Sequence, residues 1–124
     1  MDSPAITFNE KFRIRSKNFA ISICRLMDSG SMAESERIIM RQLTRSGTSV
    51  ASNFSAASRA RSSAEYFSKL CIVVEEADEC VFWLDLLLDI RQDKQETLQK
   101  IRSEALELLK VFATTKKSLK TKKK

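Results

Sequence analysis

The residues with the clearest chemical potential lie in one short stretch, VEEADECVFWLDLL, at positions 74–87. Three glutamates and an aspartate precede Trp83, the only tryptophan of the chain. Carboxylates this close together can act as an acid and a base, form a solvated face, or form a binding face. The remaining residues and the elements that carry them decide among these uses.

Catalysis is the least favoured use because the sequence contains no histidine and no Gly-rich phosphate loop. The lack of histidine removes the commonest general base near neutral pH, Ser-His and Cys-His pairs, and the usual nitrogen ligand of zinc. It also removes the E-x-x-H motifs of di-iron bundles. Glu75, Glu76 and Glu79 remain as a carboxylate cluster, but acids on a helix mostly form a solvated face. We therefore predict no enzymatic activity, no metal and no cofactor.

The cysteines and the apolar runs indicate a cytoplasmic, soluble protein without a membrane segment. Cys24, Cys71 and Cys80 are odd in number, show no C-x-x-C pairing and fall in apolar stretches, which is typical of buried, reduced thiols. The longest uncharged run is far shorter than the roughly 20 apolar residues that span a bilayer. The N-terminus also lacks the order of a signal peptide.

The composition favours a single all-α domain. One proline and two glycines among 124 residues are too few breakers for a β-sandwich. Four S/T/D-x-x-E signatures, each a potential capping box, mark four helix starts: Thr7 with Glu10, Ser31 with Glu34, Ser62 with Glu65, and Asp93 with Glu96. We predict helices near 8–28, 32–59, 63–91 and 94–117, arranged as an up-down-up-down antiparallel four-helix bundle.

Apolar residues spaced three and four apart predict the core-facing seam of each helix. The third helix presents Phe67, Leu70, Val74, Ala77, Val81, Leu84 and Leu88. The fourth presents Leu98, Ile101, Ala105, Leu108 and Phe112. The first presents Phe8, Phe12, Phe19, Ile23 and Leu26, with a gap near Arg15, and the second presents Ile39, Leu43, Gly47, Val50, Phe54 and Ala57. Gly47 on a seam indicates either a close approach of two helices or a bend.

In this register the acids of the opening stretch lie outside the third seam, together with large apolar groups. An outer face that mixes acids with aromatic and aliphatic side chains is typical of a protein interface. We therefore predict a homo-oligomer whose interface contains Glu76, Glu79, Phe82, Trp83 and Leu86. The alternative is that Trp83 covers a groove between helices and the other apolar groups are scattered surface residues.

Charge divides the chain into three parts. Residues 1–61 carry ten basic and five acidic groups, residues 62–115 carry six and eleven, and the tail carries six lysines and no acid. The second helix presents a basic and hydroxyl-rich stripe away from its seam, formed by Arg37, Arg41, Arg45, Thr48, Ser52, Ser55 and Arg59. This stripe can form ion pairs with the acids of the third helix, within a subunit or between subunits, or bind phosphates, or remain solvated. The opposite charges of the two halves favour ion pairing.

The lysine tail is a separate segment. We predict a folded domain over residues 1–115 and a disordered tail over residues 116–124, which has no apolar period. Six positive charges without an acid can bind the phosphate backbone of RNA or DNA, or can only increase solubility. The lysines concerned are Lys116, Lys117, Lys120, Lys122, Lys123 and Lys124.

Residues 45–87 contain a series of short motifs, which are RSGTS at 45–49, Asn53 with Phe54, RARS at 59–62, Glu65 with Tyr66, SKL at 68–70, EADE at 76–79 and WL at 83–84. With these motifs the segment resembles a bacterial four-helix-bundle family known from intervening sequences in 23S ribosomal RNA genes. The sequence departs from the family at Ala56, where relatives usually carry a glutamate.

The resemblance implies a ring-shaped homopentamer with no known enzymatic activity. A related branch, the accessory variability proteins of diversity-generating retroelements, uses the same barrel to bind a reverse transcriptase and nucleic acid. A reverse transcriptase is therefore an expected partner only for a member of that branch. The resemblance leaves two hypotheses for this chain, a self-assembling bundle and a nucleic-acid-binding accessory protein.

Overall fold

Four helices account for nearly all of the chain in a computed structural model, which describes residues 6–122 and the side chains as far as Leu119. The helices are α1 (Phe8–Met27), α2 (Glu34–Ala57), α3 (Ser63–Ile90) and α4 (Gln95–Lys122). Helix α2 packs between α1 and α3, and α3 packs between α2 and α4, whereas α1 and α4 touch less extensively. Short turns join these neighbours, so the chain runs up and down around one core. The predicted all-α four-helix bundle is confirmed.

Two of the four predicted N-caps are present. The Glu10 amide donates to the Thr7 hydroxyl at 3.1 Å, and the Glu65 amide donates to the Ser62 hydroxyl at 3.1 Å. Each bond satisfies one of the amide groups that a helix start leaves without a partner.

The other two predicted caps are wrong. Helix α2 follows Ala33, which makes no side-chain capping bond, so Ser31 lies outside the helix. Helix α4 follows Lys94, whose φ of 59° places it in the left-handed region. The carboxylate of Asp93 instead accepts hydrogen bonds from Arg91. The S/T/D-x-x-E pattern therefore predicted an N-cap correctly at Thr7 and Ser62, where the helix begins at the next residue. It failed at Ser31, which lies before the start of α2, and at Asp93, whose carboxylate is bonded to Arg91.

Helix α4 continues to Lys122, five residues beyond its predicted end. Residues 116–122 are therefore helical where the sequence predicts a disordered tail, while Lys123 and Lys124 lie outside the described residues. The physical reason is Leu119, which is partly buried against the core. It follows Phe112 by seven residues and so lies on the same helical face two turns later. Lysine is also a favourable helix former.

The predicted seams of α2 and α4 are buried throughout. In α1 the gap near Arg15 is filled by Ser16, which is fully buried, whereas Phe8 at the start of the helix is 41% exposed. The Phe12 and Phe54 rings pack against Phe112, with centroids 5.7 and 4.8 Å away. Aromatic pairs of this kind contribute about 0.5–1.5 kcal/mol beyond the area that they bury.

The core-facing seam of α3 agrees with the prediction at every second position and is shifted by one residue at the others. Its fully buried residues are Leu70, Val73, Ala77, Cys80, Leu84 and Leu87. Of the seven predicted positions, Leu70, Ala77 and Leu84 are buried, whereas four are only partly buried: Phe67, Val74, Val81 and Leu88. Because α3 is apolar nearly all round, two seams with three-and-four spacing fit the sequence. The contacts with neighbouring helices select one of them.

Gly47 marks a close approach of α1 and α2. Helix α2 runs without interruption through Gly47. A Cβ atom built at this position would clash with Cδ1 of Ile23, which is fully buried in α1. The absent side chain therefore allows the two helices to pack closely, and the alternative of a bend is not needed.

The length and composition of the four helices test the prediction that the chain has no membrane-spanning segment. Within residues 6–122, none of them combines the length and the apolar character that crossing a bilayer requires.

Candidate interaction surfaces

The acids of the opening stretch meet α2 in a compact cluster. Arg45 donates from Nη1 to Glu76 at 3.1 Å and from Nη2 to Glu79 at 2.5 Å. The indole N–H of Trp83 donates to the same Glu79 oxygen at 3.1 Å. The predicted pairing of the basic stripe with the acids of α3 therefore occurs within one subunit, through Arg45.

The electrostatics of this cluster keep Glu79 charged and the nearby thiol of Cys80 protonated. Burial raises the pKa of Glu79, but hydrogen bonds from Trp83 and Arg45 outweigh that effect and lower it. A hydrogen bond from Arg45 to Glu79, together with the charge of Glu76, raises the pKa of Arg45. Burial, with a smaller contribution from Glu76 and Glu79, raises the pKa of the Cys80 thiol to about 12. A thiol of this kind is a poor nucleophile at neutral pH.

The shifted register of α3 changes the predicted interface. Glu76 and Trp83 do not point straight outward, because the Glu76 side chain is only 14% exposed and Trp83 packs partly against the core. Trp83 also makes a hydrogen bond within its own helix, from the indole N–H to Glu79. Phe82 is 57% exposed and contacts Trp83 edge to face, with centroids 4.9 Å apart. Leu86 is partly buried.

The remaining arginines of the α2 stripe have separate roles. Arg37 lies 3.9 Å from Glu34 in the first turn of the helix. Arg59 donates to the Ser55 hydroxyl at 2.9 Å. Arg41 is exposed and forms no ion pair within the described part of the chain. The predicted stripe is therefore a series of local contacts and one inter-helix cluster, not one continuous free basic surface.

A basic groove lies between α1 and α2. One cavity of about 420 Å³ is lined by Arg13, Lys17, Ala20, Thr48, Ala51, Ser52 and Ser55. Another of about 470 Å³ at the start of α1 is lined by Thr7, Asn9, Glu10, Arg13, Ser58 and Arg59. The hydroxyl half of this groove belongs to the predicted stripe, whereas Arg13 and Lys17 were missed. Their signal was the alternating run KFRIRSK at 11–17, which the search for an apolar seam passed over.

Arg91 is a buried charge that the sequence analysis also missed. It is 2% exposed, although it follows the end of α3. Its Nε and Nη2 donate to Asp93 at 3.1 Å each, and Nε lies 3.2 Å from Glu36. Among the described residues, its Nη1 makes no hydrogen bond. The arginine thus joins the turn between α3 and α4 to the start of α2.

Within residues 6–122 no group of three or more His, Cys, Asp or Glu side chains is placed to hold a metal ion. Glu76 and Glu79 are held by Arg45, and Glu75 is exposed beside them. Glu76 and Glu79 therefore serve as contacts between α3 and α2.

These features define a four-helix bundle whose polar clusters join neighbouring helices. The sequence model of the 23S rRNA-intervening sequence protein family matches residues 10–114. Because this match covers most of the chain, the chain belongs to that family, and the predicted resemblance is confirmed.

A solved structure supports the same assignment. A crystal structure of a protein of unknown function from the S23 ribosomal protein family of Bacteroides thetaiotaomicron is 30% identical in sequence and superposes with a TM-score of 0.76. The similarity covers 85% of this chain and 97% of the other. No curated protein matches the chain significantly. Neither the family description nor that of the Bacteroides protein indicates an enzymatic activity.

Proposed function

We propose that the protein is a cytoplasmic, non-enzymatic subunit that assembles with copies of itself into a homopentameric ring. The observation that carries this proposal is the set of large apolar side chains on the outer faces of the helices. Phe82 is 57% exposed, Ile14 is 47% exposed, and Ile72 and Ile21 are 38% and 37% exposed. Single exposed apolar residues are common, but repeated ones on the outer face of a helix are typical of an interface.

Two further points support self-assembly over catalysis. The family resemblance implies a pentameric ring without known enzymatic activity, and the chain belongs to that family. Two of the three candidate catalytic carboxylates, Glu76 and Glu79, are paired with Arg45, and the bonds from Arg45 and Trp83 favour the ionised form of Glu79. A residue held in one charge state cannot take up and release protons near neutral pH.

Light scattering during size-exclusion chromatography tests assembly. A pentamer has a mass of about 70 kDa, five times the 14.1 kDa of one chain. Phe82→Glu should lower the mass towards that of the single chain, because a charge would replace the most exposed aromatic group of α3. Ile6→Glu is the matched control, because Ile6 is 66% exposed but lies before α1. A wild-type mass near 14 kDa at micromolar concentration would contradict the proposal.

A second candidate function, binding of RNA or DNA, is favoured by the groove between α1 and α2. Arg13 and Lys17 line it together with the hydroxyl-bearing residues Thr48, Ser52 and Ser55, and cationic side chains of this kind suit phosphate groups. The lysines of the tail add positive charge at the end of α4. Binding of this kind follows the phosphate backbone and weakens steeply as the salt concentration rises.

A salt titration of binding to a labelled RNA and a labelled DNA tests this candidate. The full-length protein, a variant lacking residues 116–124 and Arg13→Ala should be compared. Each change should lower the affinity and the slope of its salt dependence, because each removes phosphate contacts. Lys110→Ala on the outer face of α4 is the control and should change neither. If the full-length protein does not bind either nucleic acid at low salt, this function is excluded.

A further inference from the structure

We infer that the ring is built from one repeated head-to-tail contact, in which the outer face of α1 in one copy packs against the outer face of α3 in the next. The inference rests on the proposed self-assembly and names the surfaces and the partner, a second copy of this chain. Two exposed helix faces of opposite charge, each with apolar side chains at its centre, carry it.

The outer face of α1 is basic around an apolar centre. Ile14 and Ile21 are seven residues apart and therefore lie on one line along the helix, about 10 Å from each other. Lys17 and Arg25 flank this line and are exposed. Neither forms an ion pair with an acid within the described residues. Helix α1 as a whole carries five basic groups and one acid.

The outer face of α3 has the opposite charge and a similar layout. Phe82 lies midway between Glu75 and Asp89, which are seven residues before and after it, so that the three share one line along the helix. Ile72 adds a second exposed apolar group. Glu75 and Asp89 are exposed and form no ion pair in the described part of the chain. Helix α3 carries seven acids and one basic group.

The two faces cannot meet within one subunit. Helices α1 and α3 do not pack against each other in the described chain, because α2 and α4 lie between them around the bundle. Their outer faces therefore point in different directions, and each remains uncovered in a single copy. A contact between different faces of identical subunits is heterologous, and contacts of this type generate rings when the rotation closes.

Charge favours this pairing over a contact between two identical faces. An α3-to-α3 contact would bring two acidic faces together, and an α1-to-α1 contact would bring two basic faces together. Like charges facing each other across an interface oppose association, whereas opposite charges select the partner and its orientation. Of these three contacts, only the mixed one brings the unpaired bases of α1 opposite the unpaired acids of α3.

A charge-swap experiment tests the pairing. The α1 variant combines Lys17→Glu with Arg25→Glu, and the α3 variant combines Glu75→Lys with Asp89→Lys. Each variant alone should shift the mass from that of the assembly to 14.1 kDa, because one side of every contact is reversed. The chain that carries all four changes should recover the mass of the assembly, because opposite charges again face each other. Lys110→Glu on α4 is the matched control and should leave the mass unchanged.

The outcomes separate this inference from the proposed function. An assembled wild type whose fourfold variant remains dissociated, while circular dichroism shows native helix content, would overturn the α1-to-α3 pairing and leave self-assembly intact. A monomeric wild type would overturn both. As a second measurement, the α1 and α3 variants should be mixed with different affinity tags. The pairing is supported if the α1 variant captures the α3 variant but neither variant captures a second copy of the same variant. Capture between copies of the same variant would contradict it.

Discussion

Glu79 shows how neighbouring side chains determine what an acid does. Its carboxylate accepts from the indole of Trp83 on its own helix and from Arg45 on α2. These donors stabilise the charged form, so the residue joins two helices instead of exchanging protons. The composition predicted this outcome in part, because without histidine the acids had few catalytic partners. The identity of the partner, Arg45, required the position of α2.

The lowered pKa of Glu79 predicts a pH-dependent contribution to stability. The contribution is fully present above the unfolded pKa of about 4.3 and is lost as the pH falls through the lower, folded pKa. The free energy of unfolding of the wild type should therefore exceed that of Glu79→Gln at neutral pH, and the difference should shrink on acidification below about pH 4. Urea unfolding of both proteins across this range measures the difference. A difference that stays constant with pH would contradict the assignment.

Arg91 should be the most costly charged side chain to remove. Arg91→Met removes the cation that Glu36 and Asp93 share, and the free energy of unfolding should fall by more than at an exposed pair, because the Arg91 side chain itself is only 1% exposed. Arg15→Met is the matched control, because Arg15 and Glu104 are each about one-third exposed and exposed pairs contribute about 0–1 kcal/mol. Urea denaturation gives both losses. Equal losses of stability in the two variants would contradict the prediction that burial makes Arg91 the more costly residue to replace.

At the scale of the helices, the sequence predicted number, order and length better than it predicted rotation. The seams of α2 and α4 were correct because each has one apolar face and one polar face. Helix α3 has apolar residues nearly all round, so periodicity alone left two registers. The predicted outward orientation of Glu76 and Trp83 followed from the wrong register, whereas their place in an oligomer interface stays a prediction. The end of α4 was missed because a single leucine, Leu119, anchors it.

The capping assignments predict different effects of two equivalent substitutions. Ser62→Ala removes the hydroxyl that accepts from the Glu65 amide and should lower the free energy of unfolding by about 1 kcal/mol. Ser31→Ala should change it by less than about 0.5 kcal/mol, because Ser31 lies outside α2. Thermal and urea unfolding measure both values. A loss at Ser31 as large as that at Ser62 would contradict the observed start of α2.

The close approach of α1 and α2 predicts coupling between Gly47 and Ile23. Gly47→Ala gains about 1 kcal/mol of helix propensity, but overpacking against Ile23 costs about 1–3 kcal/mol, so a net loss is expected. Ile23→Val removes the clashing Cδ1 atom and alone costs about 0.5–1.5 kcal/mol. The double variant should be more stable than the sum of the two losses predicts. Strict additivity in a double-mutant cycle would exclude the contact.

At the scale of the whole molecule, charge is distributed by helix. The sequence showed a basic first half and an acidic second half, and it placed an interface on the third helix. It did not indicate that α1 presents a matching face, because that conclusion requires the order of the helices around the bundle. The sequence also does not show which charges are paired within the subunit, such as Arg45 with Glu76 and Glu79, and which are free to contact a partner.

Self-assembly is the central claim, and native mass spectrometry of the purified wild-type protein tests it most directly. The method counts the copies in each particle without reference to shape. We expect one dominant species of about 70 kDa, corresponding to five chains of 14.1 kDa. Because opposite charges contribute to the contact, this species should lose population as the salt concentration of the starting solution rises. A dominant species of one chain at low salt and micromolar concentration would contradict the account.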